Sequence, residues 1–155
     1  MRILLLYHTR TGHTLEAIQA VDAGLRAAGA EGRVVLAASF DVSCLQHSEG
    51  MIVGSPCWAG SLGLSGLARP IETALGHLPR GCLLGRRGGG IAVHSRFGGE
   101  RTVITIGRRL GELGCEDYRG GHAVRAGAPF SWWKGPAVRE EDLRRLKAYG
   151  RGFVE

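Results

Sequence analysis

The sequence predicts an α/β protein whose parallel sheet is covered by helices on both faces. Three observations carry that expectation. Short apolar runs of strand length recur along the chain, at Leu4-Leu5-Leu6, Val34-Val35-Leu36, Met51-Ile52-Val53 and Ile91-Ala92-Val93. Near-continuous hydrophobicity is what a strand buried on both faces requires. The segments between the runs carry apolar residues at helical spacing. Glycine, proline and hydroxyl residues gather just after the first, third and fourth runs, where a strand hands over to a loop. At 155 residues the chain is expected to form one domain, residues 1–155, large enough to bury about two-thirds of its unfolded surface.

Strand one is placed at residues 2–7 and helix one at about 11–28, where Leu15, Ile18, Val21 and Leu25 recur on one face and Gly29 stands where a left-handed cap stops a helix. Strand two covers 32–38, and 41–47 reads as one short helix or an irregular turn. Strand three, 50–54, runs into Ser55-Pro56-Cys57-Trp58-Ala59-Gly60-Ser61, too rich in breakers to be helical. A helix at about 64–78 is stopped by Pro79. Strand four, 89–94, enters a second breaker-rich loop, Ser95-Arg96-Phe97-Gly98-Gly99. The helix at 100–113 puts Val103, Ile106, Leu110 and Leu113 on one face and ends at Gly114. Strand five lies between 116 and 124. A loop holding Trp132 and Trp133 precedes the last helix, where Glu140, Glu141 and Asp142 suit the positive N-terminal end and Leu143, Leu146, Tyr149 and Phe153 face inward.

Apolar residues make up 44% of the chain and charged residues 22%, ordinary for a globular protein, and no apolar run approaches the ~20 residues of a membrane span. The chain is strand-like from its second residue, so no secretory signal is read and a cytoplasmic location is expected. The cysteines (Cys44, Cys57, Cys82, Cys115) are far apart, with no C-x-x-C pair and no histidine at metal spacing. No metal site is expected, and the thiols read as small buried apolar groups, except Cys57, which lies in a candidate site loop. A net charge of +6 raises nucleic acid as a partner, but the basic residues are dispersed and aromatics make up 6%, so none is expected. The charge points instead to anionic substrates or partners.

The first strand runs into Thr9-Arg10-Thr11-Gly12-His13-Thr14. Hydroxyls and a glycine there coincide with the unpaired N–H groups that open a helix, which is the layout of a phosphate cradle. Two better-known phosphate loops do not fit. No lysine occurs before Lys134, which excludes G-x-x-x-x-G-K-[ST], and the turn holds one glycine where a dinucleotide fold needs G-x-G-x-x-G. In a parallel sheet the loops after strands one, three and four converge outside the carboxyl ends, and these are the chemically loaded ones.

Together the three loops resemble those of the flavodoxin-like FMN-binding proteins, in order and over nearly the whole chain. The pattern T/S-x-T-G-x-T is matched at Thr9, Thr11, Gly12 and Thr14; His13 stands where many members carry asparagine, and Arg10 adds a cation. The resemblance implies a single-domain three-layer sandwich with a five-stranded parallel sheet in the order 2-1-3-4-5. It implies FMN, with its phosphate at Thr9, Arg10, Thr11, Gly12, His13 and Thr14. The second loop (Ser55, Pro56, Cys57, Trp58, Ala59, Gly60) places Trp58 against the isoalloxazine ring. The third (His94, Ser95, Arg96, Phe97, Gly98, Gly99) wraps the ring's other edge, where Arg96 or the N–H groups of Gly98 and Gly99 face N1–C2=O. Unlike electron-carrier flavodoxins, the chain lacks a long acidic and aromatic third loop and is basic. The expected function is therefore an FMN-dependent oxidoreductase passing electrons from NAD(P)H or a partner protein to a small acceptor such as a quinone. The alternatives are a carrier without its own substrate and an interaction module lacking FMN. Trp132 and Trp133 are left open between ring cover, a homodimer contact and packing of the last helix.

Overall fold

The computed structural model describes residues 1–57, 66–127 and 134–155. Its elements run β1 (Arg2–Tyr7), α1 (His13–Ala27), β2 (Glu31–Leu36), β3 (Gly50–Pro56), α2 (Arg69–Gly76), β4 (Arg87–His94), α3 (Gly99–Glu112), β5 (Asp117–Arg125) and α4 (Glu140–Gly152). Two 3-10 turns, Ala37–Ser39 and Val42–Leu45, follow β2. The strands form one all-parallel sheet in the order β2-β1-β3-β4-β5, the topology expected from the sequence.

The pleat splits each apolar run between two cores. Ile3 and Leu5 of β1 and Ile52 of β3 join Ile18, Val21, Leu25, Leu146 and Phe153 beneath α1 and α4. Leu4, Leu6, Met51 and Val53 join Ile71, Leu75, Ile106 and Leu110 beneath α2 and α3. Burying a side chain of this kind contributes about 1.5–3 kcal/mol, so the central strands account for much of the driving force. Against the first layer α1 and α4 cross at backbone contact. A methyl at Gly24 would fall on the carbonyl oxygen of Lys147, and one at Gly150 on that of Val21.

Both long helices that follow the site strands end alike. Gly29 (φ 78°) and Gly114 (φ 95°) are left-handed. The N–H groups of Gly29 and Ala30 bond the carbonyls of Arg26 and Leu25, and those of Gly114 and Cys115 bond Gly111 and Leu110, each at about 3 Å. These paired bonds satisfy carbonyls that a helix end leaves open.

Several boundaries differ from the expectation. Helix one begins at His13 rather than residue 11, because Gly12 takes a left-handed conformation (φ 93°) that no helix continues. The second helix begins at Arg69, not 64; Pro70 in its first turn has no N–H to extend the ladder toward Gly66. Residues 58–65 lie outside the described residues. Strand two stops at Leu36 and turns into Ala37–Ser39. Strand three runs on through Ser55 and Pro56, which pair with Ala92 and Val93. The N–H of Cys57 bonds Val93 O on β4, so the alternate position, Pro56, turns toward β1 where that strand has already ended at Tyr7. A residue without an N–H is tolerated there.

Candidate functional site

The sheet order turns between β1 and β3, since the chain steps outward to β2 on one side and to β4 and β5 on the other. All the strands point the same way, so the loops after them open at one edge around that turn. Two helices, α1 and α3, present their N-termini there, each capped by a glycine with positive φ, Gly12 at 93° and Gly98 at 90°.

The first loop is built by its own threonine. Thr9 Oγ1 accepts from the Gly12 N–H at 2.9 Å, and the first helical bond runs from Glu16 N–H to Gly12 O at 3.0 Å. The N–H groups of His13, Thr14 and Leu15 therefore have no acceptor within the helix, and a methyl built on Gly12 would meet nothing within 4 Å. The cradle is open, with donors aimed out of it. The N–H of His8 bonds Gly54 O at 3.1 Å and ties the loop to β3. Thr11 is half-buried and Arg10 exposed. Thr14 is buried, and a methyl on Gly54 would lie 3.3 Å from its Cγ2.

His13 takes a different place from the one its sequence position suggests. Its ring is buried, with Nε2 2.5 Å from the carbonyl of Lys134. Only a donor can bind a carbonyl, so Nε2 carries the proton; Nδ1 lies 3.7 Å from Glu16 Oε2. The imidazole thus ties the start of α1 to the segment before α4, leaving its backbone N–H for the cradle. The Gly127 N–H bonds Pro136 O at 2.7 Å and fastens the same segment.

In the second loop Ser55 is fully buried; its hydroxyl donates to Pro56 O and accepts from the Ala68 N–H, both at 3.0 Å. Ala68 precedes the first turn of α2, so Ser55 positions that helix. Cys57 Sγ lies 3.6 Å from Phe97 O and joins the second loop to the third. Trp58, Ala59 and Gly60 lie outside the described residues, as do Trp132 and Trp133.

The third loop is held at both ends. Arg125 Nε donates to Ser95 O at 3.0 Å, and the Ala126 N–H donates to His94 O at 2.9 Å. Thr102 Oγ1 reaches Gly66 O at 2.9 Å and Gly98 O at 3.2 Å. The His94 ring lies over Gly99 so closely that a methyl there would overlap it. Its Nδ1 is buried, and the backbone of Arg96 is the polar group beside the ring. Arg125 and Thr102 were not singled out from sequence. Thr102 was discoverable as a hydroxyl one helical turn beyond Gly98, whereas Arg125 depended on the end of the strand whose limits were least legible.

Gly98 yields a stability prediction, because a methyl there would sit 2.8 Å from Cys57 Sγ on top of its positive φ. Gly98→Ala is expected to cost about 2–3 kcal/mol by chemical denaturation. Roughly 1 kcal/mol of that should be recovered in a Cys57→Ala background, where the steric part is relieved. Strictly additive effects would show that the two loops do not touch.

Burial holds the imidazoles of His8, His94 and His122 below their ordinary 6.5, and the guanidiniums of Arg10, Arg125 and Arg145 respectively push the same way. The unfolded chain takes up protons near 6.5 while the native protein resists until lower pH. Stability is therefore complete above that value and declines as pH falls through it. The melting temperature is expected to be flat from about pH 8 to 7 and to fall from about 6.5 downward, with His122→Gln flattening part of the slope. A melting temperature that rose on acidification over this range would contradict the assignment.

Among the described residues no group of three or more His, Cys, Asp or Glu is placed to hold a metal ion. No helix there is long and apolar enough to cross a membrane. What converges at the edge among the described residues is the open start of α1 after Gly12 and a second glycine-capped helix start at α3.

No protein-family model and no curated protein matches the sequence. Solved structures do match the fold. A flavodoxin from Streptococcus pneumoniae TIGR4 superposes with a TM-score of 0.77 at 18% identity, over 99% of this chain and 98% of its own. Oxidised flavodoxin 2 from Bacillus cereus gives 0.78 at 21%, over 99% and 98%. The Flv1 flavodiiron core from Synechocystis gives 0.73 at 20% over 99% of this chain but 35% of its own, so there the chain spans about a third of the match. The protein has the flavodoxin fold.

Proposed function

We propose that the protein binds FMN at the C-terminal edge of its sheet and works as an FMN-dependent oxidoreductase. The observation that carries this reading is the open cradle after β1, where Thr9 shapes the loop, Gly12 leaves space, and three N–H groups at the start of α1 lack an acceptor within the helix. A phosphate monoester matches that donor set in charge and in valence. When bound, FMN supplies one- and two-electron redox chemistry, including hydride acceptance.

In this reading the N–H groups of His13, Thr14 and Leu15 and the hydroxyl of Thr11 hold the phosphate, with Arg10 adding positive charge. Trp58 stacks on one face of the ring. Arg96 and the N–H groups of Gly98 and Gly99 face its polar edge, where positive character raises the affinity for added electrons. Ser55 and His13 act as positioning residues, the one for α2 and the other for the segment at Lys134.

Electrons would arrive from NAD(P)H or a partner protein and leave to a small acceptor such as a quinone. The short, glycine-rich third loop supports this, since it leaves room beside the ring. A second reading, a carrier without its own substrate, is favoured by the end-to-end match with single-domain flavodoxins. Turnover of NAD(P)H with a quinone, measured without added reductase over roughly 20–500 mM salt, separates them. With NAD(P)H held at saturation, so that steering of this anionic donor does not limit the rate, the oxidoreductase reading expects turnover nearly indifferent to salt, because a neutral acceptor is not steered by charge. No turnover together with fast reduction by an added reductase would leave the carrier. A protein that takes up no flavin would leave an interaction module.

A further inference from the structure

The two most exposed large apolar side chains among the described residues are Ile104 at 71% and Phe97 at 68%. They share a stripe with two exposed arginines, Arg101 and Arg108. Positions 101, 104 and 108 are spaced three and four apart, which places them on one outward face of α3, and Phe97 lies in the loop just before Gly98, which opens that helix. Thr102, Thr105, Ile106 and Leu110 occupy the buried face. From Arg101 to Arg108 the stripe runs about 10 Å along the helix at 1.5 Å per residue, and it starts just past the third site loop.

Its charge is unbalanced. Arg96, Arg101 and Arg108 form no ion pair among the described residues, whereas the neighbouring Arg109 is paired with Glu112 at 2.7 Å. Glu100 is the one carboxylate set between them in the first turn. The apolar end is also preorganised. The loop carrying Phe97 is pinned through Ser95 O by Arg125 and through Phe97 O by the Cys57 thiol, so its backbone needs little ordering on binding.

We propose that this stripe is the docking surface for an acidic redox protein, whose carboxylates engage Arg96, Arg101 and Arg108 while its apolar surface covers Phe97 and Ile104. Exposed aromatic and arginine side chains in one patch are the composition of protein interfaces. Planar guanidiniums pair with carboxylates through two parallel hydrogen bonds, which a point charge does not. A handful of side chains on one helix face suits the small, transient contacts of electron-transfer partners. An anionic bilayer is the poorer match, because two apolar side chains bury little area in it and Glu100 would face its headgroups. The exchange of electrons rests on the FMN reading; the docking itself does not.

The test uses the full chain, an immobilised plant-type [2Fe–2S] ferredoxin as acidic probe and cytochrome c as basic probe, at about 20 and about 300 mM salt. An Arg101→Glu, Arg108→Glu double variant and Ile104→Ser are measured alongside, and FMN is titrated into each protein separately. Ferredoxin is expected to bind at low salt, roughly tenfold or more weaker at high salt and roughly tenfold or more weaker to the double variant. Ile104→Ser should weaken it too, cytochrome c should not bind, and FMN affinity should be unchanged in the variants. Absence of ferredoxin binding, or equal binding by the double variant, would overturn the proposal. So would binding to phosphatidylserine vesicles in place of ferredoxin. Ferredoxin binding without any FMN uptake would keep the docking surface and sink the cofactor reading.

Discussion

Gly150→Ala is expected to destabilise the protein by about 3 kcal/mol or more, a large share of the stability of a domain this size. The added methyl would fall on the Val21 carbonyl oxygen, 3.0 Å from Val21 C and 3.2 Å from Leu25 N. Every one of those atoms is backbone, so no side chain can rotate away and the helices must separate. The facing glycine has the same problem in reverse, since a methyl at Gly24 would meet Lys147 O and lie 2.9 Å from Arg151 N. Separation would open the contact over Val21, Leu25, Leu146 and Phe153, all nearly or fully buried, and add a cavity cost to the strain. Gly111→Ala in α3 is the control. Nothing lies within 4 Å of its added methyl, and replacing a helical glycine by alanine should stabilise by roughly 0.5–1 kcal/mol. Denaturant midpoints for the two variants check the pair, and similar midpoints would mean that the close crossing of α1 and α4 is wrong.

The covered parallel sheet was legible because each central strand is apolar on both faces, whereas the strand order came from the resemblance of the three loops. Leu4-Leu5-Leu6 divides between two cores, and so short an unbroken apolar run suits a strand covered on both sides far better than one with a wet face. Gly29 and Gly114 were legible as caps because only their left-handed conformation closes the last turn. Strand five was poorly legible because its pairing is irregular between Gly88 and Gly90, and Gly120 at φ 72° interrupts its alternation. At the site, the three loops were identified by their chemistry, but the division of labour inside them was not. Ser55 and His13 belong to ligand-like loops in sequence, yet the hydroxyl holds Ala68 and the imidazole holds Lys134 O. Both partners lie far away in the chain, and no local pattern encodes them. The dispersed arginines are a similar case. Arg101, Ile104 and Arg108 come to one side only when α3 winds them there.

The central claim is that the loop after β1 binds a phosphate, and it implies a strong preference for FMN over riboflavin, which differ by that group alone. Charge-assisted hydrogen bonds contribute about 1.5–3 kcal/mol each. The N–H groups of His13, Thr14 and Leu15 at the helix start are available together, and the helix dipole favours the same charge. Even two such bonds amount to about 3 kcal/mol or more, which is over 100-fold in affinity. The deciding measurement is a pair of titrations of the flavin-free protein with FMN and with riboflavin under the same buffer. FMN is expected to bind at least ~100-fold more tightly. Equal affinity for the two flavins, or uptake of neither, would contradict it.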